Sequence, residues 1–216
     1  MHLKNDIVRL AATVLILVLS VAGCSASYAQ RFDRALTRSF LGLTLQLDSL
    51  ADVQKKLGVS DTRRCSNAEG SPVELCYSLK SSPVRVVFLS VDAPDALSEK
   101  WLVGYKVFGD DESPGCYRQC PLATISPDDL QAGNIISIGM SRDEVLALLG
   151  KPKNISGDRY TFQWLETRKY TPKELSLLSS RGYEPEPHEY DFLDTIEVRF
   201  GQGRVSSFEV FFAVTY

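Results

Sequence analysis

The chain is short of the residues that catalysis uses most. It has two histidines in 216 residues, His2 and His188. A hydrolase relay needs a histidine beside a nucleophile, and no Gly-x-Ser-x-Gly elbow occurs to present one. A glycine-rich phosphate loop is also missing, since Gly201-Gln202-Gly203 reads as a tight turn between strands. The five cysteines contain no Cys-x-x-Cys pair, and Cys116-Tyr117-Arg118-Gln119-Cys120 has the wrong spacing for zinc. Positive charge is not in excess: 24 Lys and Arg face 27 Asp and Glu, a net charge of −3 with no basic run. That leaves no electrostatic footprint for nucleic acid. Hydrophobic residues at 44% and charged residues at 24% exclude a disordered chain and a polytopic membrane protein. We therefore expect no enzyme, no catalytic residues, no cofactor, no metal site and no nucleic-acid partner.

Long apolar runs are scarce too, and the one present lies at the start. Lys4 and Arg9 accompany a stretch of Leu, Val, Ile and Ala between Ile7 and Val21. Its uncharged part falls short of the ~20 residues of a membrane helix. A basic start, an apolar run and then small residues describe a secretory signal. Val21-Ala22-Gly23-Cys24 resembles the cleavage box of bacterial lipoprotein signals, where the chain is cut before a lipid-bearing cysteine. The expectation is a signal peptide over 1–23, lipid attachment (diacylglycerol and palmitate) at Cys24, and a tether over 24–31. Several acyl chains on one residue suffice as an anchor, because each buried methylene contributes about 0.8 kcal/mol. Ser25 resembles the sorting residue of Gram-negative lipoproteins destined for the outer membrane. The resemblance implies a cell-envelope protein on the outer membrane, facing the periplasm. A rival small-x-small site at Ser27-Tyr28-Ala29, before Gln30, would instead release a soluble protein.

Five cysteines is an odd number for an exported chain. With Cys24 under lipid, the disulfide-forming set is Cys65, Cys76, Cys116 and Cys120. Of three possible connectivities, proximity along the chain favours the local one, Cys65–Cys76 and Cys116–Cys120.

An internal repeat organises the rest. Ser49 to Gly58 aligns with Ser141 to Gly150, sharing serine, valine, leucine and glycine at matched positions. In each, a serine N-cap is followed at the third helical position by an acid, Asp52 or Glu144, as in a capping box. Leu50, Val53 and Leu57, and then Val145, Leu148 and Leu149, recur at helical spacing. A glycine closes each helix, and Pro152 forbids continuation of the second. Strand patterns follow in both halves: Glu74–Leu79, Val84–Val91 and Trp101–Phe108, then Arg159–Trp164, Thr195–Phe200 and Val205–Tyr216. Upstream of each repeated helix lies another helix candidate, Phe32–Phe40 and a start at Ser126-Pro127-Asp128-Asp129. The expected fold is α+β, with two tandem modules of helix, helix and three-stranded antiparallel sheet after the signal peptide. The first module spans 32–110, a linker with Cys116 and Cys120 spans 111–125, and the second spans 126–216.

Gly139-Met140-Ser141, Val145 and Leu149-Gly150-Lys151-Pro152, with Tyr160 and Trp164 on the next strand, resemble the SmpA/OmlA (BamE-like) lipoprotein domain. The resemblance implies a non-catalytic domain of the machinery that assembles outer-membrane β-barrels. The tandem arrangement with cysteines in the halves resembles β-lactamase inhibitory protein, in which two such modules form one concave binding face. The first half carries the motif faintly, since Gln46-Leu47-Asp48 stands where the second has Gly-Met.

The helical insertion 165–194 has no counterpart in the first half. Thr171-Pro172-Lys173-Glu174 is a capping box with proline at its first helical position, opening a helix with Leu175, Leu177 and Leu178. It adds Tyr170, Tyr183 and Tyr190, which with Tyr160 and Trp164 are the candidate partner-binding residues. Trp101 and Tyr105 fit core or sheet-face packing. His188 lies in a proline-spaced acidic stretch that reads as an extended loop. The expected function is a lipid-anchored envelope protein that binds a protein partner, as a scaffold or accessory of outer-membrane assembly. The alternative is a periplasmic inhibitor that grips a hydrolase with a concave sheet face.

Overall fold

The computed structural model of the chain describes residues 34–65, 72–80, 82–90, 101–109, 115–117, 119–123, 136–180 and 182–215. These all fall in the unit Phe32–Tyr216. The signal peptide 1–23, Cys24, the tether 24–31, the alternative site at Ser27–Ala29 and the helix start at Ser126–Asp129 lie outside the described residues.

A single helical turn, α1 (Arg34–Thr37), leads into strands β1 (Ser39–Phe40) and β2 (Leu43–Thr44). The helix expected over Phe32–Phe40 therefore stops short. The chain reverses at Leu41 and Gly42, with φ of 53° and 68°, a two-residue turn suited to a hairpin. Phe40 is better buried as a strand residue, where its ring stacks on Tyr105 at 4.2 Å. Helix α2 (Leu50–Leu57) forms as its sequence dictates. Ser49 accepts from the Asp52 N–H, Asp52 accepts from the Ser49 N–H, and Leu50, Val53 and Leu57 are buried. Helix α3 (Arg142–Leu149) repeats the box with Ser141 and Glu144 and buries Val145 and Leu149. The match extends upstream. Gln46 (φ 64°) and Gly139 (φ 86°) precede the two caps, and their N–H groups bond to the carbonyls of Leu102 and Val205.

Strands β3 (Val73–Leu79), β4 (Arg85–Ser90), β5 (Leu102–Phe108) and β6 (Leu122–Ala123) follow α2. After α3 come β7 (Asn154–Ser156), β8 (Arg159–Arg168), helix α4 (Pro172–Ser180), β9 (Tyr190–Gly201) and β10 (Arg204–Thr215). The expectation of two helix-helix-sheet modules is corrected here. The described protein is mostly β, with one mixed eight-stranded sheet in the order β6-β3-β4-β5-β10-β9-β8-β7 beside the β1–β2 hairpin. Among the described residues the helices of eight or nine residues are three, α2 in the first half and α3 and α4 in the second. The physical reason lies in the last strand of each half. β5 and β10 pair antiparallel, with Val107 opposite Phe208 and Tyr105 opposite Val210. Each thereby covers an apolar edge that separate sheets would leave exposed.

Alternation sets the faces. Tyr77, Phe88, Tyr105, Val210, Ile196 and Phe162 point to the side that holds α2 and α3. On the other side Cys76, Val87, Leu89 and Val103 pack under Tyr117. Two disulfides hold that cover in place, Cys65–Cys116 and Cys76–Cys120. The local pairing is thus corrected. Cys76 sits mid-strand and points to the far face, where the segment carrying Cys116, Tyr117 and Cys120 covers it. Arg63 ties the same segment down through the carbonyls of Cys116 and Gln119, at 3.0 and 3.3 Å.

Candidate binding groove

A groove of about 260 Å³ opens on the helix-bearing face at the ends of β9 and β10. Its floor is Phe192 of β9 with Phe212 and Val214 of β10, placed on one side by strand alternation. One wall is the loop Thr44–Leu47 after β2, with Trp101. The loop is held by the Gln46 N–H to Leu102 and by the Gln46 side-chain amide, which donates to the Phe212 carbonyl at 3.3 Å. The other wall is the insertion: Tyr170, Leu178, Tyr183 and Tyr190.

Two ion pairs fix these walls. Arg38 donates to both carboxylate oxygens of Asp194, at 2.8 and 2.7 Å, with its guanidinium 4.0 Å from the centre of the Phe212 ring. Asp194 is buried on β9, so this pair pins the segment after α1 to the sheet. Across the groove Arg168 donates to both oxygens of Glu174, at 2.8 and 2.7 Å, and lies 3.8 Å over Phe192. Glu174 also accepts from the Thr171 N–H at 2.7 Å, completing the capping box that starts α4. Burial pushes the Glu174 carboxyl up, but Arg168 and Thr171 outweigh it and hold the group at about 2. Both cations are consumed inside the protein, which leaves an aromatic, charge-balanced surface.

Three of the five sequence candidates meet here. The rings of Tyr170 and Tyr190 lie 4.9 Å apart, and Tyr170 also stands edge-on to Phe192. Burial, aided by the neighbouring tyrosines and Glu174, raises the Tyr170 phenol to about 12. Tyr183 is 47% exposed at the rim. Tyr160 and Trp164 are not brought to this place. Tyr160 is buried edge-on against Phe200 beneath the Arg142 guanidinium, and Trp164, half-buried, packs beside Phe162 against the core. Trp101 lines the groove, whereas Tyr105 is buried and donates to the Thr37 carbonyl at 3.1 Å. His188 stacks on Tyr190 at 4.2 Å.

Sequence reasoning missed Arg38, Gln46, Phe212 and Asp194. One signal was available for Asp194: period-two alternation runs back from Phe200 to Tyr190, which puts an acid at an inward position that calls for a cation. β8 likewise runs on to Arg168, so the part of the insertion outside the strands is shorter than 165–194. Nothing local announces Arg38.

The opposite face holds a second recess, about 500 Å³, crossed by charged strand residues. Lys106 lies 3.9 Å from Glu74 and 3.4 Å from Glu209, and Arg159 lies 3.2 Å from Glu197. Glu209 stands directly opposite Glu197, and Arg199 opposite Arg159. Burial raises the Glu209 carboxyl; Lys106 counters this, and Glu197 and Glu74 add to it. Tyr117 donates to Glu74 at 2.9 Å, and burial beside that carboxylate raises its phenol.

Among the described residues no three His, Cys, Asp or Glu side chains are grouped to hold a metal ion. No helix among them is long and apolar enough to cross a membrane. Comparison of the chain with protein-family models, curated proteins and solved structures returns no match.

Proposed function

We propose that this is a non-catalytic, lipid-anchored protein of the cell envelope that binds a protein partner through the aromatic groove, as a scaffold or accessory of outer-membrane assembly. The observation that carries the reading is the groove itself. Tyrosine and tryptophan rings bury large areas at small entropic cost and dominate contact energies between proteins. Here Trp101, Tyr170 and Tyr183 surround an apolar floor whose nearby charges are already paired. The insertion that builds one wall is an added element on the repeated scaffold, where a private partner is expected. The lipoprotein-like box at Cys24 and the resemblance of Gly139-Met140-Ser141 to Pro152 to the BamE-like lipoproteins support the envelope setting.

A second reading, inhibition of a periplasmic hydrolase, is favoured by the charged recess on the opposite face, where the partly exposed Arg159 and Glu197 offer charge to a complementary surface. Crosslinking of the tagged full-length protein in cells, with mass spectrometry of what co-purifies, separates the two. Enrichment of membrane components that is lost in Tyr183→Ala supports the groove. Enrichment of one soluble hydrolase that is lost in Arg159→Ala supports inhibition, and no specific adduct contradicts both.

A further inference from the structure

Strand β8 is paired along its full length on one side only. All of Arg159–Arg168 faces β9, but β7 covers only Arg159–Thr161 on the other side. The Asp158 carbonyl accepts from Phe200 of β9, and the Thr161 carbonyl accepts from Lys153 beside β7, at 2.9 and 2.7 Å. Backbone groups alternate sides along a strand. Gln163, Leu165 and Thr167 therefore aim their N–H and C=O groups past the edge of the sheet, and no strand among the described residues pairs with them. Their side chains are exposed, Leu165 by 65%. The stretch has no proline, glycine or bulge, the usual devices that keep an edge from pairing.

We propose that this edge is a homodimer contact, in which β8 pairs antiparallel with β8 of a second copy about a two-fold at Leu165. The complement of a row of backbone donors and acceptors is another extended backbone, and this edge complements itself. With the axis at Leu165, that residue meets its own counterpart, Gln163 meets Thr167 of the second copy, and Trp164 meets Glu166. Each outward-facing pair exchanges two hydrogen bonds, and no like charges are opposed. The neighbouring registers are poorer. An axis at Gln163 runs the second strand into β7, and one at Thr167 sets the exposed leucine against Lys169. Five residues from each copy are far fewer than the roughly 20–30 a side of standard interfaces, so the dimer is expected to be weak and to dissociate on dilution.

The test is sedimentation equilibrium of the full-length protein in a density-matched detergent, for wild type, Leu165→Lys, Leu165→Glu and an equimolar mixture of the two variants. Leu165 is exposed, so both variants keep the fold, which circular dichroism verifies. The wild type is expected to show a monomer–dimer equilibrium, each variant alone to dimerise at least about tenfold more weakly, and the mixture to regain the dimer because opposite charges meet at the axis. A wild type that stays monomeric, a dimer indifferent to both substitutions, or a mixture no better than its components overturns the proposal.

Discussion

Gly104 sits where β4, β5 and β10 crowd together. A Cβ built there lies 2.5 Å from the Val210 carbonyl oxygen and 3.2 Å from the Leu89 Cδ1. The oxygen belongs to the β10 backbone, which both neighbouring strands hold, so it yields only by distorting the centre of the sheet. Gly104→Ala should lower stability by about 1–3 kcal/mol, the usual cost of overpacking, read from the urea midpoint. Glu174 makes the second prediction at this scale. Its carboxyl lies at about 2 against an ordinary 4.5, so the folded state favours the ionised form. The stability it contributes is fully present above about pH 4.5 and is lost as the pH falls toward 2. Near-ultraviolet circular dichroism of the tyrosines should change over that window as the α4 wall loosens. In Glu174→Gln that step should be absent.

Among the elements, the disulfide-held cover formed by Cys116, Tyr117 and Cys120 makes the clearest claim. The bridges close separations of 51 and 44 residues, long enough to remove much chain entropy from the unfolded state. Cys76→Ser with Cys120→Ser should cost about 2–5 kcal/mol. It should also uncover Val87, Leu89 and Val103, measurable as faster hydrogen exchange in β4 and β5. This pairing was not legible in the sequence, because the spacing of cysteines along the chain says nothing of which strand face Cys76 occupies. The capping boxes at Ser49, Ser141 and Thr171, and the α2 and α3 stripes, were legible, since caps and stripes depend on residues three or four apart. Phe32–Phe40 misled because an apolar i, i+4 stripe does not show that Phe40 is buried better as a strand residue against Tyr105. In the groove, the tyrosines were legible as an added aromatic set. The opposite wall was not, because Arg38 and Asp194 are joined only by the fold.

At the scale of the whole molecule, the repeat is spent on one sheet rather than on two modules. β3-β4-β5 and β10-β9-β8 run outward from a central pair in mirrored order, with α2 and α3 on one face. That plan gives the protein two unlike surfaces, an aromatic groove beside the insertion and a charged recess behind it. The envelope reading adds an anchor at one end of the chain. Cys24→Ser should move the protein out of the lipid-labelled membrane pellet and abolish fatty-acid labelling, while a wild type that is already soluble and unlabelled would argue for cleavage before Gln30.

The central claim, that the groove is where a protein partner docks, is tested most directly by site-specific photocrosslinking in cells. A photoreactive residue replaces Tyr183, 47% exposed at the rim, and in a control it replaces Val59, 82% exposed after α2. The account predicts a discrete adduct with an envelope protein from position 183 and none from position 59. No adduct at position 183, or the same adducts from both positions, would contradict it.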